Sequence, residues 1–328
     1  MIEVDRLIKQ YKVHRREAGL GATLRSLVRR RYETVTAVDD LSFAIGPGER
    51  VGFLGPNGAG KTTTLKILSG LLWPTAGAVR VGGHIPQRRE VEFLKSITLV
   101  MGQKQQLLWD LPPVETFALN RAIYDLPKAS FEQTVAELVD LLGLAGLVNR
   151  PTRQLSLGER MKCELVAALL HRPRVLFLDE PTIGLDVSMQ VTIREFIRTY
   201  NERFGATVLL TSHYMDDVVA LCPRVIVIDK GRLTYEGNLR ELVHRVRPHK
   251  QVVIKLARPV AREQLAAIGQ VAAHADGQAT LQIPQQTLNA AVSRALSELP
   301  VVDLSVEDPP IEDVMRELFA HPTQRPPS

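Results

Sequence analysis

The sequence VGFLGPNGAGKTT at Val51–Thr63 decides the fold class of this chain. A short apolar run leads into the spacing GxxxxGKT, and helix-forming residues follow it to Leu68. Glycines suit such a turn because backbone N–H groups must approach phosphate oxygens closely, where a Cβ would intrude. The lysine of this pattern reaches the β and γ phosphates of a nucleotide, and the next hydroxyl can ligate Mg²⁺. The predicted nucleotide-binding residues are Gly55, Pro56, Asn57, Gly58, Ala59, Gly60, Lys61, Thr62 and Thr63.

A second element lies far downstream, at Val175–Glu180 with the sequence VLFLDE. An apolar strand that ends in acidic residues delivers carboxylates to the edge where open α/β sheets bind their ligands. Asp179 suits the metal, directly or through water. Glu180 should point the other way if the chain stays extended, so it is expected to face an attacking water. Together with the phosphate loop, this element predicts hydrolysis of a nucleoside triphosphate.

Short apolar runs alternate with helical stretches over residues 1 to about 240. The predicted strands are Ile45, Val51–Leu54, Val79–Val81, Ile97–Val100, Val175–Leu178, Val208–Leu210 and Val225–Ile228. Several of these runs are continuously apolar, as buried parallel strands are. From about residue 118 to 168, Leu, Val and Ala recur at helical spacing without a strand-like run. We therefore predict an α/β body with an inserted helical subdomain.

The pattern changes after Asn238. From Val252 to Phe319 the elements read strand, helix, strand, strand, helix, strand and helix. The first six match a split βαβ, ferredoxin-like unit, so we predict a small α+β domain over residues 247–320. Residues 321–328 contain three prolines and no apolar run, and they are predicted to be a disordered tail.

Charge and hydrophobicity narrow the functional classes. The 328 residues carry 41 basic and 36 acidic side chains, a net charge of +5. Nine basic residues and one acidic residue lie between Arg6 and Arg31, so the rest of the chain has a net charge of −3. Because the excess is local, no nucleic-acid partner is expected. No apolar run approaches the ~18 residues of a membrane helix, and the charged start does not resemble a signal peptide, so a cytoplasmic chain is expected.

The chain resembles the nucleotide-binding subunits of ATP-binding cassette (ABC) transporters. Six elements occur in the family's order: the phosphate loop, Gln103 as the Q-loop, Leu155–Glu159 (LSLGE) as the LSGGQ signature, Asp179–Glu180, Gly184–Asp186 as the D-loop, and Thr211–His213 with the switch histidine. The resemblance implies the P-loop NTPase fold, with a RecA-like core, and it implies ATP and Mg²⁺ as cofactors. It implies catalytic roles for Glu180, His213, Gln103 and Asp186, and Mg²⁺ ligation by Thr62, Gln103 and Asp179.

The signature implies a second cassette. In the family, its residues, here Ser156, Gly158 and Glu159, close over the γ-phosphate held by another subunit. Leu157 stands where the family has glycine, and Glu159 where it has glutamine, which is expected to weaken that closure. The same stretch fits the capping box S-x-x-E, so a helix is predicted to begin here. A capped helix N-terminus is also a site for anions.

An aromatic residue stacks on adenine in this family, and two tyrosines are candidates. Tyr32 lies 29 residues before Lys61, about the expected spacing, whereas Tyr11 is expected just after the first strand and lies 50 residues away. We favour Tyr32 and keep Tyr11 as the alternative. Residues 12–31 are predicted to be a basic insertion. Within it, residues 18–31 fit a basic amphipathic helix that contacts anionic lipid or a membrane partner, or equally a solvated arm.

The closer resemblance is to cassettes of ABC-2 type exporters, and it rests on Gln103–Pro112, Glu180–Asp186 and Val302–Val314. It implies separately encoded transmembrane permease subunits, export, and a peripheral position on the inner face of the cell membrane. The alternative is a soluble cassette ATPase that acts on nucleic acid or in translation. The chain has a single cassette and its excess of basic residues is confined to the N-terminal part, and both features favour the exporter over this alternative. A regulatory module without turnover is disfavoured by the presence of Glu180 and His213.

Overall fold

The computed structural model describes residues 1–14, 32–102, 106–275 and 277–320. The chain divides into two compact units, Met1–Glu236 and Gly237–Ser328. Gln103, the predicted helix at residues 18–31 and the predicted tail at residues 321–328 lie outside the described residues. Within the described parts, no helix is both long and apolar enough to cross a membrane.

A central sheet forms the body of the first unit. Its strands are β3 (Arg50–Leu54), β5 (Ile97–Met101), β6 (Val175–Asp179), β7 (Thr207–Thr211), β8 (Arg224–Asp229) and β9 (Arg232–Asn238). They lie in the order β5-β6-β7-β3-β8-β9, and the pairs from β5 to β8 are parallel. The apolar residues of β3, β6, β7 and β8 are buried, which confirms the predicted buried parallel strands.

A second sheet is antiparallel and contains two strands that are much longer than predicted. It consists of β1 (Ile2–His14), β2 (Tyr32–Ile45) and β4 (Ala76–Val81) in the order β2-β1-β4. Only Ile45 of β2 was predicted as strand, because shifts in the β1/β2 register interrupt the alternation of polar and apolar residues. Tyr11 lies within β1, so the prediction that it follows the first strand is wrong.

Helices surround these sheets. They are α1 (Lys61–Leu68), α2 (Val91–Ser96), α3 (Pro113–Tyr124), α4 (Lys128–Leu141), α5 (Leu157–Leu169), α6 (Val187–Phe204) and α7 (Met215–Leu221), with 3-10 turns at Pro86–Arg88 and Thr152–Gln154. Helices α3 to α5 lie between Pro113 and Leu169, in the stretch where a helical subdomain was predicted over about residues 118–168. All of residues 118–168 are described, and no strand occurs among them.

One hydrophobic core joins α1 to both sheets. Buried side chains of α1, Leu65, Ile67 and Leu68, lie in the same cluster as Phe53 of β3 and Leu41 of β2. Burial of a Leu, Ile or Phe side chain contributes about 1.5–3 kcal/mol. Helix α1, which follows the phosphate loop, therefore packs against both the central sheet and the antiparallel sheet.

His171 contacts both helix α3 and the central sheet. Its ring stacks on Tyr124 of α3, with centroids 3.9 Å apart and planes 1° from parallel. Its Nε2 lies 2.9 Å from the carbonyl oxygen of Ile97 in β5, so the neutral ring donates there. Nδ1 is buried and has no hydrogen-bond partner among the residues that the structure describes. Burial lowers the pKa of His171, although the bond to Ile97 opposes this effect.

We expect His171 to make the first unit sensitive to acid. The unfolded chain takes up a proton near pH 6.5, but the folded chain resists protonation to lower pH, so stability falls as the pH drops below 6.5 through the folded pKa. His171 contributes at most about 1.4 kcal/mol per pH unit to this slope of the free energy of unfolding against pH. Denaturant unfolding, followed by the fluorescence of Trp73 and Trp109, measures it. His171→Gln should reduce the slope, and the exposed His274→Gln should not; equal slopes in wild type and His171→Gln would contradict the assignment.

The second unit has the predicted ferredoxin-like topology. Its elements are α8 (Leu239–Val246), β10 (His249–Leu256), α9 (Arg262–Ala266), β11 (Gln270–Ala275), β12 (Gln278–Pro284), a 3-10 turn at Gln285–Thr287, α10 (Leu288–Glu298), β13 (Val301–Glu307) and α11 (Ile311–Ala320). The strand order is β11-β12-β10-β13 with antiparallel neighbours, as in a split βαβ unit. Two of its described elements were not predicted, the 3-10 turn and α8. Helix α8 is short and highly charged, and its N-cap Asn238 accepts a bond from the Arg240 N–H.

Candidate functional site

The phosphate loop runs from β3 into α1, and its glycines serve two different purposes. A Cβ on Gly55 would lie 2.4 Å from the Ile228 carbonyl oxygen, and one on Gly60 would lie 2.4 Å from that of Ala37. These two positions therefore allow the loop to pass close to neighbouring backbone. Gly58 has φ of 81°, and no atom of the described residues lies within 4 Å of where a Cβ would be. Its positive φ and open side leave room for a ligand to approach the backbone.

Lys61 spans the loop from the first turn of α1. Its side chain is buried, and its Nζ donates to the carbonyl oxygens of Gly55 at 2.6 Å and Pro56 at 3.1 Å. Burial lowers the pKa of Lys61, while the charges of Glu180 and Asp179 oppose that change. The ammonium thus lies among loop carbonyls and near two carboxylates, where a phosphate could take over as its partner.

Asp179 lies at the end of β6 and binds two threonine hydroxyls. Thr62 Oγ1 donates to its Oδ2 at 3.0 Å, and Thr211 Oγ1 donates to its Oδ1 at 2.6 Å. Thr62 and Asp179 thus present hard oxygen atoms side by side. Mg²⁺ usually binds one or two protein oxygens of this kind and completes its shell with phosphates and water, so the pair fits that ion. Gln103, the third predicted metal ligand, lies outside the described residues, but its neighbour Gly102 donates its N–H to the Asp179 carbonyl at 2.9 Å.

Glu180 and His213 are in contact. The distance between His213 Nε2 and Glu180 Oε1 is 2.8 Å. Glu180 has φ of 56°, in the left-handed region, so the expectation of an extended chain at this residue is wrong. The backbone turns here while the Glu180 N–H donates to the Thr211 carbonyl at 3.0 Å. This turn brings the carboxylate to the histidine, where it can serve as a proton acceptor.

The signature begins α5 with the predicted capping box. The Glu159 N–H donates to Ser156 Oγ at 3.2 Å, and the Ser156 N–H donates to Glu159 Oε2 at 2.8 Å. The bond from the Ser156 backbone is the main reason why the pKa of Glu159 is lowered. Because Ser156 Oγ accepts in this box, its hydroxyl hydrogen stays available to donate to an anion.

The start of α5 contacts the D-loop of the same chain. A Cβ on Gly184 would lie 3.4 Å from Leu157 Cδ2, and one on Gly158 would lie 2.6 Å from Met189 Cε. Asp186, a predicted catalytic residue, is the N-cap of α6 and accepts a bond from the Met189 N–H at 2.9 Å. The signature and the D-loop therefore lie side by side, and a side chain at Gly158 would require the Met189 side chain to move.

The two candidate adenine-stacking tyrosines lie on neighbouring strands. Tyr11 of β1 pairs with Val35 of β2, and the Lys9 ammonium lies 5.1 Å from the centre of its ring. The backbone of Tyr32 pairs with that of His14, but the side chain of Tyr32 lies outside what the structure describes. The preference for Tyr32 over Tyr11 stays a prediction.

Glu164, a buried carboxylate on α5, was not among the predicted site residues. It accepts bonds from the N–H groups of Gln106 at 2.9 Å and Leu107 at 3.1 Å, just after the segment that contains Gln103. Burial raises the pKa of Glu164, with the two N–H groups opposing it. The available signal was one acidic residue within the otherwise apolar stretch 163–170. Glu164 therefore fixes the backbone of Gln106 and Leu107 to α5.

The class of protein follows from where these groups lie. Open parallel sheets bind ligands where their strands end, and β3, β6 and β7 bring the phosphate loop, two carboxylates and a histidine to that edge. A sheet of this order with an inserted helical subdomain is that of a P-loop nucleotide hydrolase.

Comparison with known proteins gives the family. A family model described as "ABC transporter" matches residues 38–183, and another, "EvrA-like ABC transporter, C-terminal domain", matches residues 248–307. Curated relatives include the Nod factor export ATP-binding protein I of Paraburkholderia xenovorans (strain LB400), 38% identical over 66% of this chain and 70% of that protein. The chain belongs to the ATP-binding subunits of ABC transporters, and it is an ATPase.

Other relatives differ in how much of this chain they match. The daunorubicin/doxorubicin resistance ATP-binding protein DrrA of Streptomyces peucetius is 32% identical over 303 residues, 89% of this chain and 90% of that protein. The Fe(3+) ions import ATP-binding protein FbpC of Agrobacterium fabrum (strain C58 / ATCC 33970) is 34% identical over 226 residues, 68% of this chain and 62% of that protein. A dimeric ATP-binding cassette bound to ADP and Pi shares the fold, with a TM-score of 0.60 at 24% identity over 73% of this chain and 99% of that one.

Proposed function

We propose that this chain is the ATP-hydrolysing subunit of an ABC-2 type exporter that works through separately encoded permease subunits. The observation that carries the proposal is the second unit. The similarity to the resistance protein spans 303 residues, more than the cassette unit Met1–Glu236 contains, and a C-terminal domain model matches residues 248–307. The Nod factor export protein and the iron-import protein match 217 and 226 residues of the chain, so these shorter similarities do not separate the two directions. The similarity to a drug-resistance protein along most of the chain is what supports export.

The chemistry assigned to this chain uses the groups gathered at the sheet edge. Lys61 and the loop N–H groups bind the phosphates of ATP, and Thr62 and Asp179 hold Mg²⁺, with Gln103 as a third ligand. When bound, Mg²⁺ offsets the charge of the β and γ phosphate oxygens. Glu180 accepts a proton from the attacking water, and His213 orients this carboxylate and the γ-phosphate.

The direction of transport tests the proposal. The chain would be expressed with the permease chains that co-purify with it, and ATP-driven movement of candidate compounds would be followed in inverted membrane vesicles. An exporter should accumulate its substrate inside such vesicles, and the Glu180→Gln variant should not. ATP-dependent depletion of the vesicle contents would indicate import and would contradict the proposal.

A second cassette is part of this proposal, because the signature would act on the partner's ATP. The hydroxyl hydrogen of Ser156 and the N-terminus of α5 would face the γ-phosphate held by Lys61 of the other copy. The contact between permease and cassette, and a peripheral position on the inner face of the membrane, follow from the same proposal. The basic segment between Arg6 and Arg31 would add attraction to anionic lipid, at most about 1 kcal/mol for each charge at the surface.

The composite site predicts that ATP drives dimer formation when hydrolysis is blocked. Glu180→Gln with Mg²⁺ and ATP should shift from monomer to dimer in light scattering, because the bound γ-phosphate bridges the two copies. The double variant Ser156→Ala/Glu180→Gln should dimerise at least ~10-fold more weakly, as expected for loss of a hydrogen bond to a charged group. If Glu180→Gln stays monomeric at high concentration, and also with permease present, the composite site is wrong.

A further inference from the structure

A buried carboxylate lies behind the Glu180–His213 pair. Asp217 of α7 is fully buried, with 0% exposure. Its Oδ1 accepts a bond from Arg194 Nε at 2.6 Å, and its Oδ2 accepts bonds from Ser212 Oγ at 2.6 Å and from Thr182 Oγ1. The Arg194 side chain is only 12% exposed. A buried charge with this many donors is satisfied, and removal of any one donor leaves it short of a partner.

Each donor comes from a different segment of the candidate site. Thr182 lies two residues after Glu180, and Ser212 directly precedes His213. Thr182 after Glu180 and Ser212 before His213 therefore donate their hydroxyl hydrogens to the same oxygen, Asp217 Oδ2. Ser212 Oγ also accepts the Tyr214 N–H at 3.0 Å, so the chain on both sides of His213 is fixed.

The third donor leads to the D-loop. Arg194 lies on α6, and its Nη2 donates to Gln190 Oε1 at 3.3 Å. Gln190 Nε2 in turn donates to the Leu185 carbonyl at 3.2 Å. A continuous path of hydrogen bonds thus runs from the D-loop backbone through Gln190 and Arg194 to Asp217. Side chains held in such a network have few alternative positions.

We propose that Asp217 is a positioning residue, which keeps Glu180 and His213 in register with each other and with the D-loop. This inference rests on the proposed hydrolytic roles of Glu180 and His213. Asp217 does not touch the reacting atoms in this scheme. It acts because Thr182 and Ser212 must point their hydroxyl hydrogens at one buried oxygen, which fixes the backbone beside both catalytic side chains.

The test uses the smallest change that breaks the network. Thr182→Val removes the hydroxyl and keeps the shape, and Thr182→Ser keeps the hydroxyl. Thr182→Val should lower kcat at least 10-fold with KM for ATP nearly unchanged and the melting temperature lowered by only a few degrees, and Thr182→Ser should retain most of kcat. Asp217→Asn should have the same effect as Thr182→Val if it folds. Unchanged kcat in Thr182→Val would overturn the inference. It would also be overturned if Thr182→Val and Thr182→Ser lost the same fraction of kcat and the same number of degrees in melting temperature.

A second comparison separates positioning from general damage. In a His213→Ala background, where the positioned pair is already broken, Thr182→Val should cause less than a 2-fold further loss of single-turnover rate. A further loss of 10-fold or more would show that Thr182 acts independently of His213, against the inference. The proposed hydrolytic roles fail separately, because then His213→Ala and Glu180→Gln alone would leave turnover intact.

Discussion

Replacement of Glu180 by glutamine should leave ATP bound and lower its turnover by roughly 10²- to 10⁴-fold, the usual loss when a general base is removed. Glutamine has nearly the same shape as glutamate, so the turn at φ 56° and the contact with His213 can be kept. It cannot take a proton from water. The rate of phosphate release at saturating ATP measures the loss, and binding of a fluorescent ATP analogue measures the retained affinity.

The matched control for this variant is Glu195→Gln. Glu195 is an exposed glutamate on α6, so the change in formal charge is the same and the site is left intact. Its turnover should stay within about 2-fold of wild type, as is usual for surface substitutions that cost little stability. Undiminished turnover in Glu180→Gln would remove Glu180 from the role of proton acceptor.

Replacement of Lys61 by alanine should act on binding instead. The ammonium lies against the phosphate loop, and a hydrogen bond to a charged group contributes about 1.5–3 kcal/mol, or about 10- to 100-fold in Kd. The two loop carbonyls that Lys61 binds would also lose their donor. Titration with Mg²⁺-ATP by calorimetry measures the change in Kd.

Lys66 on the same helix supplies the comparison for Lys61. Lys66→Ala removes one positive charge from α1 without touching the loop carbonyls, so it separates the local contact from a change in net charge. Wild-type affinity in Lys66→Ala together with weakened binding in Lys61→Ala is the expected result. Equal Kd values for wild type and Lys61→Ala would mean that the phosphates do not reach the ammonium.

The parts of the site that sequence analysis predicted are those written in contiguous residues. The phosphate loop, Asp179–Glu180 and the capping box at Ser156–Glu159 each depend on neighbours along the chain, so spacing alone specifies them. The order of elements in the second unit was predictable for the same reason. The long strands β1 and β2 were not, because bulges interrupt their period of two.

The missed features depend on residues far apart in sequence or on a single dihedral angle. Glu164 binds an N–H group 57 residues away, and Asp217 binds a hydroxyl 35 residues away. Sequence gives no local sign of such pairs. The turn at Glu180 is set by one positive φ, which period-two alternation cannot anticipate. These features arise from tertiary packing and not from pattern.

Leu157 lies beside Gly184, and Met189 lies beside Gly158, so the signature adjoins the D-loop and the start of α6 within one chain. In a head-to-tail pair of copies, the signature of one chain would adjoin the partner's ATP, while its D-loop would adjoin its own catalytic pair. The same pair of adjoining segments would then border two nucleotides at once. We expect the two ATP sites to influence each other, and a Hill coefficient above one in the dependence of hydrolysis on ATP concentration would be the sign of that coupling.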